Sequence, residues 1–320
     1  MRDFLIDTDT ASDDAVAIQM ALAAPDVRVL ALTTVAGNVG VEQATRNALL
    51  TVEVMGASTP VFPGIAKPLT RDHDDAHWFH GRDGMGDQNF APPKGAAESE
   101  HAVDALLRLS RERPGATLVT LGPLTNIAVA LTREPDFANR IARCVVMGGA
   151  PCCEGNVTPA AEYNIWVDPE AASVVFRSAL PLEMVGWHVS RGESVLNEAD
   201  EAEILALGTA KARFAIECNA RAREAYFEQT GQRGISLADP TAMAVALDRS
   251  IGTSWSRHRV AIECASELTR GMTLVDRLNV SGDSSNAAVW AQTIRSGASA
   301  DICWTFDADG FKRMLKRALG

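Results

Sequence analysis

No paired cysteine motif occurs in this chain: its six cysteines (Cys144, Cys152, Cys153, Cys218, Cys264 and Cys303) are scattered, and none falls in a CxxC spacing. That excludes a thiolate zinc site and a disulfide framework, and leaves reduced, mostly buried thiols as the expectation. Basic clusters are also missing. With 30 basic against 41 acidic residues the net charge is -11, which excludes recognition of a phosphate backbone or an anionic membrane and permits a neutral or cationic small partner. No apolar run reaches the ~18 residues that span a bilayer, and no leader-like segment precedes the first strand. A soluble, cytoplasmic protein is therefore expected. The chain shows no internal repeat, low-complexity tract or interdomain linker, so residues 1–320 are expected to form one domain.

What is present is concentrated near the start. Asp7, Asp9, Asp13 and Asp14 lie within eight residues, between the apolar run Phe4-Leu5-Ile6 and the apolar-periodic run Ala15-Val16-Ala17-Ile18. The pattern reads as strand, tight turn and helix, with Ser12 as a candidate helix cap and Asp13 and Asp14 in the first turn. Asp7 and Asp9, two apart, leave the strand end on the same face. The helix dipole accommodates acids in its first turn, but four so close repel one another unless a cation or a shared proton compensates. A hard divalent cation is the simplest compensation.

Strand and helix patterns then alternate. A helix over about 13–24 ends at Pro25; Val27–Val35 reads as a strand and Glu42–Met55 as a helix. Thr117–Leu121 leads into a helix over Thr125–Leu131, and Cys144–Met147 ends at Gly148-Gly149 before a helix opening at Asp168-Pro169-Glu170. Beyond a polar helical stretch over about Asn197–Gln229, an apolar helix covers Thr241–Leu247. Apolar runs follow at Val260–Cys264, Met272–Val275 and Ile302–Phe306, and a helix closes the chain. Near-continuous apolar strands alternating with helices predict an α/β fold: an open, mainly parallel central sheet with helices on both faces. Ligands of such sheets bind beyond the carboxyl ends of the strands. Two long interruptions, 64–95 and 148–167, are rich in Gly, Pro, Asn and His, and their length favours a functional role.

The residues that follow the strands are unusually polar: the aspartates, then Ala36-Gly37-Asn38, Gly122 to Asn126, a loop with Asn156, Glu162 and Asn164, and Asp239 after a helical excursion. Carboxylates, amides and glycines without Lys or Arg suit a cation together with a polyhydroxylated ligand, and suit phosphate poorly.

On these residues the chain resembles the inosine-uridine-preferring nucleoside hydrolases, whose DxDxxxDD signature is matched by Asp7, Asp9, Asp13 and Asp14. Thr33 to Asn38, Gly122 to Ala128, Met147-Gly148-Gly149, Asn156, Ala161 to Asn164 and Asp168 to Ala172 follow in family order. The resemblance implies a nucleoside hydrolase-like fold and hydrolysis of the N-glycosidic bond of ribonucleosides. It also implies a Ca2+ ion held by Asp9, Asp14, Asp239 and the Leu121 carbonyl. Asp9 would deprotonate the attacking water on that ion. Asp13, Asn38, Asn156, Glu162 and Asn164 would hold the sugar, His80 would line the pocket, and Asp7 would orient the ligands from behind. A homodimer or homotetramer is expected on the same basis.

Two departures stand out. Thr10-Ala11 replace the family's usual turn, and Ala238 stands where many members carry a histidine just before the last metal-binding aspartate. Alanine donates no proton, so the residues weighed for leaving-group activation are His77, Trp78, His80, His188 and Tyr226, with His80 assigned to lining. Trp78 and the absent histidine favour a purine base, which stacking would activate. Two rival readings remain. Phe4 to Thr10 also fits the strand-DxDxT opening of haloacid-dehalogenase-type phosphatases, with Asp7 as nucleophile; yet Lys211, the only lysine between Lys94 and Lys312, sits in no phosphate-binding motif. Ala238 suggests the other, a calcium-dependent nucleoside binder without turnover.

Overall fold

The computed structural model describes residues 1–286 and 299–320. Its nine strands are β1 (Arg2–Thr8), β2 (Val27–Thr34), β3 (Val61–Phe62), β4 (Ala116–Thr120), β5 (Ile141–Met147), β6 (Leu182–Val185), β7 (Gly252–Ile262), β8 (Thr273–Val275) and β9 (Ser299–Phe306). They form one sheet in the order β3-β2-β1-β4-β5-β6-β9-β7-β8. Every pairing from β3 to β9 is parallel, and β7 joins β9 and β8 antiparallel. The mainly parallel α/β prediction holds. Alternation along β1 explains why both faces are covered. Phe4 and Ile6 enter a core packed by the helices Ser12–Ala23 and Ala238–Leu247, whereas Leu5 enters one packed by Ala102–Glu112, Thr125–Arg133 and Pro169–Phe176. All three side chains are fully buried, each contributing roughly 1.5–3 kcal/mol of transfer free energy.

The strand order fixes where a ligand can sit. From β1 the chain steps outward to β2 and β3, then returns to β4 on the other side of β1. The connections therefore diverge at the carboxyl ends of β1 and β4 and leave a crevice there. Both long interruptions fold over this edge and carry a short helix each, His77–His80 and Tyr163–Val167. The polar stretch 197–229 resolves into three helices, Glu198–Leu205, Ala210–Glu217 and Ala220–Thr230. The helix expected from Thr241 starts three residues earlier, at Ala238, which puts Asp239 in its first turn. Its far end is capped by arginines: Arg2 donates to the carbonyls of Ala246 and Leu247, and Arg143 to those of Val245 and Ala246. All six cysteines are free thiols. Among the described residues no helix is long and apolar enough to cross a membrane.

Candidate active site

At the β1–β4 crevice the chain builds a cleft, at the place where ligands of such sheets bind. Its polar lining includes Asp13, Asn38, His80, Asn156, Glu162, Asn164 and Asp239; its apolar lining includes Trp78, Phe79, Trp187 and Ala238. The residues expected to hold the sugar or line the pocket, Asp13, Asn38, His80, Asn156, Glu162 and Asn164, thus converge from four separate stretches of the chain. Carboxylate oxygens of Asp13, Asp14 and Asp239 lie within 4.8 Å of one another, all buried.

Asp9 is fully buried beside this group. Its Oδ2 accepts the Asn38 backbone N–H at 2.6 Å, and its Oδ1 has no partner among the described residues. Two glycines make room for it. A Cβ on Gly37 would stand 2.1 Å from Asp9 Oδ2, and one on Gly122 would stand 2.7 Å from Oδ1. Either methyl would collide with the carboxylate. Asp14 is held by the Thr8 hydroxyl at 2.6 Å and the Ala11 N–H at 2.9 Å. The helix cap is therefore Ala11, not Ser12, because the Asp14 carboxylate reaches back to the cap N–H. The Ser12 hydroxyl is free for another task and meets His80 Nδ1 at 2.8 Å.

The electrostatics follow from burial. Loss of solvent, reinforced by neighbouring carboxylates, pushes Asp9 and Asp239 well above the ordinary carboxylate range, and burial together with Asp13 pushes Asp14 up to about 7. Burial lowers His80 and keeps it neutral at neutral pH. So many buried acids in one place, with Asp9 Oδ1 and Asp13 Oδ1 lacking a hydrogen bond among the described residues, form an all-oxygen donor set that fits a hard divalent cation. The Leu121 carbonyl accepts the Asn164 amide at 2.7 Å, and a carbonyl oxygen retains a second lone pair for an ion.

Asp7 stands apart from the cleft lining. Burial raises it to about 7, and its Oδ1 accepts Thr33 Oγ1 at 2.6 Å and Asn126 Nδ2 at 2.8 Å. Asn126 also donates to the Thr34 carbonyl and accepts from Ile65 N, so it clamps β1, β2 and the first long loop together and does not cap its helix. Glu162 caps the Tyr163–Val167 helix: Oε1 accepts Asn164 N and Oε2 accepts Gly149 N, both at 2.8 Å.

Two of the residues weighed for leaving-group activation do not line this cleft. Tyr226 turns its hydroxyl to Gln232 at 3.0 Å, and His188 gives Nε2 to the Cys303 carbonyl at 2.8 Å. Both line a separate cavity with Glu154 and Arg191. Trp187, next to His188 in the chain, does line the cleft, because neighbours on a tight turn point in different directions. Trp78 does line the cleft, half-exposed. His77 lies outside, paired with Asp75. Trp187, Gln229 and Ser236 line the cleft without having been expected.

The inosine-uridine preferring nucleoside hydrolase family matches residues 4–312. The chain belongs to that family. It is 35% identical to uridine nucleosidase 1 of Arabidopsis thaliana over 98% of this chain and 92% of that one. To the inosine-uridine preferring nucleoside hydrolase of Leishmania major it is 37% identical, over 86% and 88%. Among solved structures, a purine-preferring ribonucleoside hydrolase from Gardnerella vaginalis superposes with a TM-score of 0.87 at 28% identity, covering 99% of this chain and 98% of that one. The protein is thus a hydrolase acting on N-glycosyl compounds. Membership in this nucleoside hydrolase family sets aside the phosphatase reading, as does the burial of Asp7 behind Thr33 and Asn126.

Proposed function

We propose that this nucleoside hydrolase cleaves ribonucleosides to free base and ribose, with Asp9 as the base that takes a proton from the attacking water. The observation that carries the reading is the group of buried, mutually repelling carboxylates at one end of a cleft lined otherwise by amides and aromatic rings. Asp9, Asp14, Asp239 and the Leu121 carbonyl would hold calcium. When bound, the ion lets these carboxylates ionise and acidifies water beside them.

The residues of the chain divide the remaining work. Asp9 Oδ2 is occupied by the Asn38 N–H, so Oδ1 is the oxygen left to receive the proton. The water oxygen bonds to C1′ as the C1′–N bond breaks, and that bond's electron pair passes to the base. Asp13, Asn38, Asn156 and Asn164 offer acceptors and donors for ribose hydroxyls. Glu162, with its oxygens tied to backbone N–H groups, sets the Gly149 turn and places negative charge beside a developing oxocarbenium ion. Neutral His80 contacts substrate without donating a proton. Asp7 orients the strand end through Thr33 and Asn126.

The relatives' names differ in base (uridine, inosine-uridine, purine) and share the nucleoside, which supports ribose as the recognised element. A sheet that takes in residues 2 to 306 supports one domain; homodimeric or homotetrameric assembly and a cytoplasmic location belong to the same proposal. The test is incubation with calcium and a panel of purine and pyrimidine ribonucleosides. Equimolar base and ribose are expected. Binding of a nucleoside with no base released would instead identify a binder, and release of neither product from any substrate would overturn the reading.

A further inference from the structure

We propose that Trp187 is a base-recognition residue whose indole N–H donates a hydrogen bond to the nucleobase, at the part of the cleft where Ala238 supplies no donor. The inference rests on the ribonucleoside reading above and adds to it the contact that assists departure of the base.

Three observations carry it. Trp187 lines the cleft together with Phe79, Ser236 and Ala238. It is 6% exposed, and its Nε1 is buried with no hydrogen-bond partner among the described residues. An indole N–H only donates, and buried donors in native proteins are almost always paired. A ligand acceptor in the cleft would pair it.

The residue is also held in place. Its backbone N–H donates to the Gly149 carbonyl at 2.9 Å, and its carbonyl accepts the Ser190 hydroxyl at 2.9 Å. Ser236 donates to the Ser190 carbonyl at 3.1 Å, which pins this turn to the segment that leads into Ala238. On the ring, the Arg191 guanidinium lies 5.6 Å from the centroid, itself ion-paired with Glu154. A cation over the face draws electron density from the indole and fixes its plane.

The ligand chemistry follows. A donor-only group selects a base with an exposed acceptor, a carbonyl oxygen or a ring imine nitrogen. As the C1′–N bond breaks, its electron pair enters the base and charge grows on those acceptors, so the hydrogen bond strengthens in the transition state. Indole is too weak an acid to give up its proton; the departing base takes one from solvent water.

Trp187→Phe keeps the ring and removes the N–H. On the ribonucleoside cleaved fastest, kcat/KM should fall about 10- to 100-fold. On 4-nitrophenyl β-D-riboside, whose phenolate leaves without such help, it should stay within about 2-fold of wild type. An undiminished nucleoside rate, or equal losses on both substrates as a packing role would give, overturns the proposal. A wild-type protein inert on both substrates would instead sink the hydrolase reading beneath it. Should the variant not fold, the wild-type protein carries the test with analogues of that nucleoside in which one base acceptor is replaced by C–H. At least one must lose about 10-fold or more; no loss on any overturns the proposal.

Discussion

The two ends of the cleft are built on different principles. At the acidic end, Asp9, Asp13 and Asp14 come from the turn that follows β1 and the helix it opens, and Asp9 Oδ2 and both oxygens of Asp14 are held by short hydrogen bonds. At the aromatic end, Trp78, Trp187 and Gln229 come from three distant segments, and Trp78 is 49% exposed. The acidic end must hold several charges at fixed separations in a medium that penalises them, so every neighbour is constrained. The aromatic end has only to offer flat apolar surface and one or two donors, which many side chains can supply. On the proposed mechanism the chemistry would sit at the first end and base preference at the second.

Substitution should expose that asymmetry. The largest effect is expected for Asp9→Ala, which should lower kcat by about 1,000-fold or more while circular dichroism and thermal midpoint show a retained fold; near-wild-type turnover would remove Asp9 as the base. Next comes Gly122→Ala. Its methyl would press on Asp9 Oδ1, so turnover should drop about 100-fold, with roughly 1–3 kcal/mol lost in stability by denaturant titration. Normal activity in that variant would show that the carboxylate position is not critical.

The charge argument also predicts a pH effect. In the metal-free protein Asp7 and Asp14 sit near 7 when folded and near the ordinary 3.8 when unfolded. A raised folded value stabilises at low pH, and that contribution is lost as pH rises through about 7. Calcium, which needs the ionised form, should raise the thermal midpoint by several degrees at pH 8 and by much less at pH 5. Equal shifts at both would disconnect the ion from these carboxylates. Smallest in scale is Trp78→Ala at the aromatic end. Stability should move by no more than about 0.5 kcal/mol and kcat by about 2-fold or less, while KM for ribonucleosides rises several-fold. A large fall in kcat there would erase the distinction between the two ends.

The acidic end was largely legible because its signal is local. Four aspartates at a strand-to-helix junction demand compensation whatever the rest of the chain does, and the strand-end residues Asn38, Glu162 and Asn164 follow from the rule that parallel sheets gather ligands at one edge. At the aromatic end only Trp78 was legible. Trp187 and His188 are adjacent in sequence, yet one lines the cleft and the other a different cavity, because direction on a tight turn is set by what packs around it. Ser12, a natural helix cap by type, pairs with His80 since Asp14 already reaches the cap N–H. Asn126 clamps three segments that only the fold brings together.

Sequence alone determined the alternating strands and helices, the edge at which function gathers and the acidic group itself, since periodicity and like-charge repulsion act over a few residues. Tertiary structure decided which acidic oxygens keep no hydrogen bond among the described residues, which glycines give Asp9 its room and which aromatic rings line the cleft. These depend on approaches between segments far apart in the chain, and no local pattern encodes such distances.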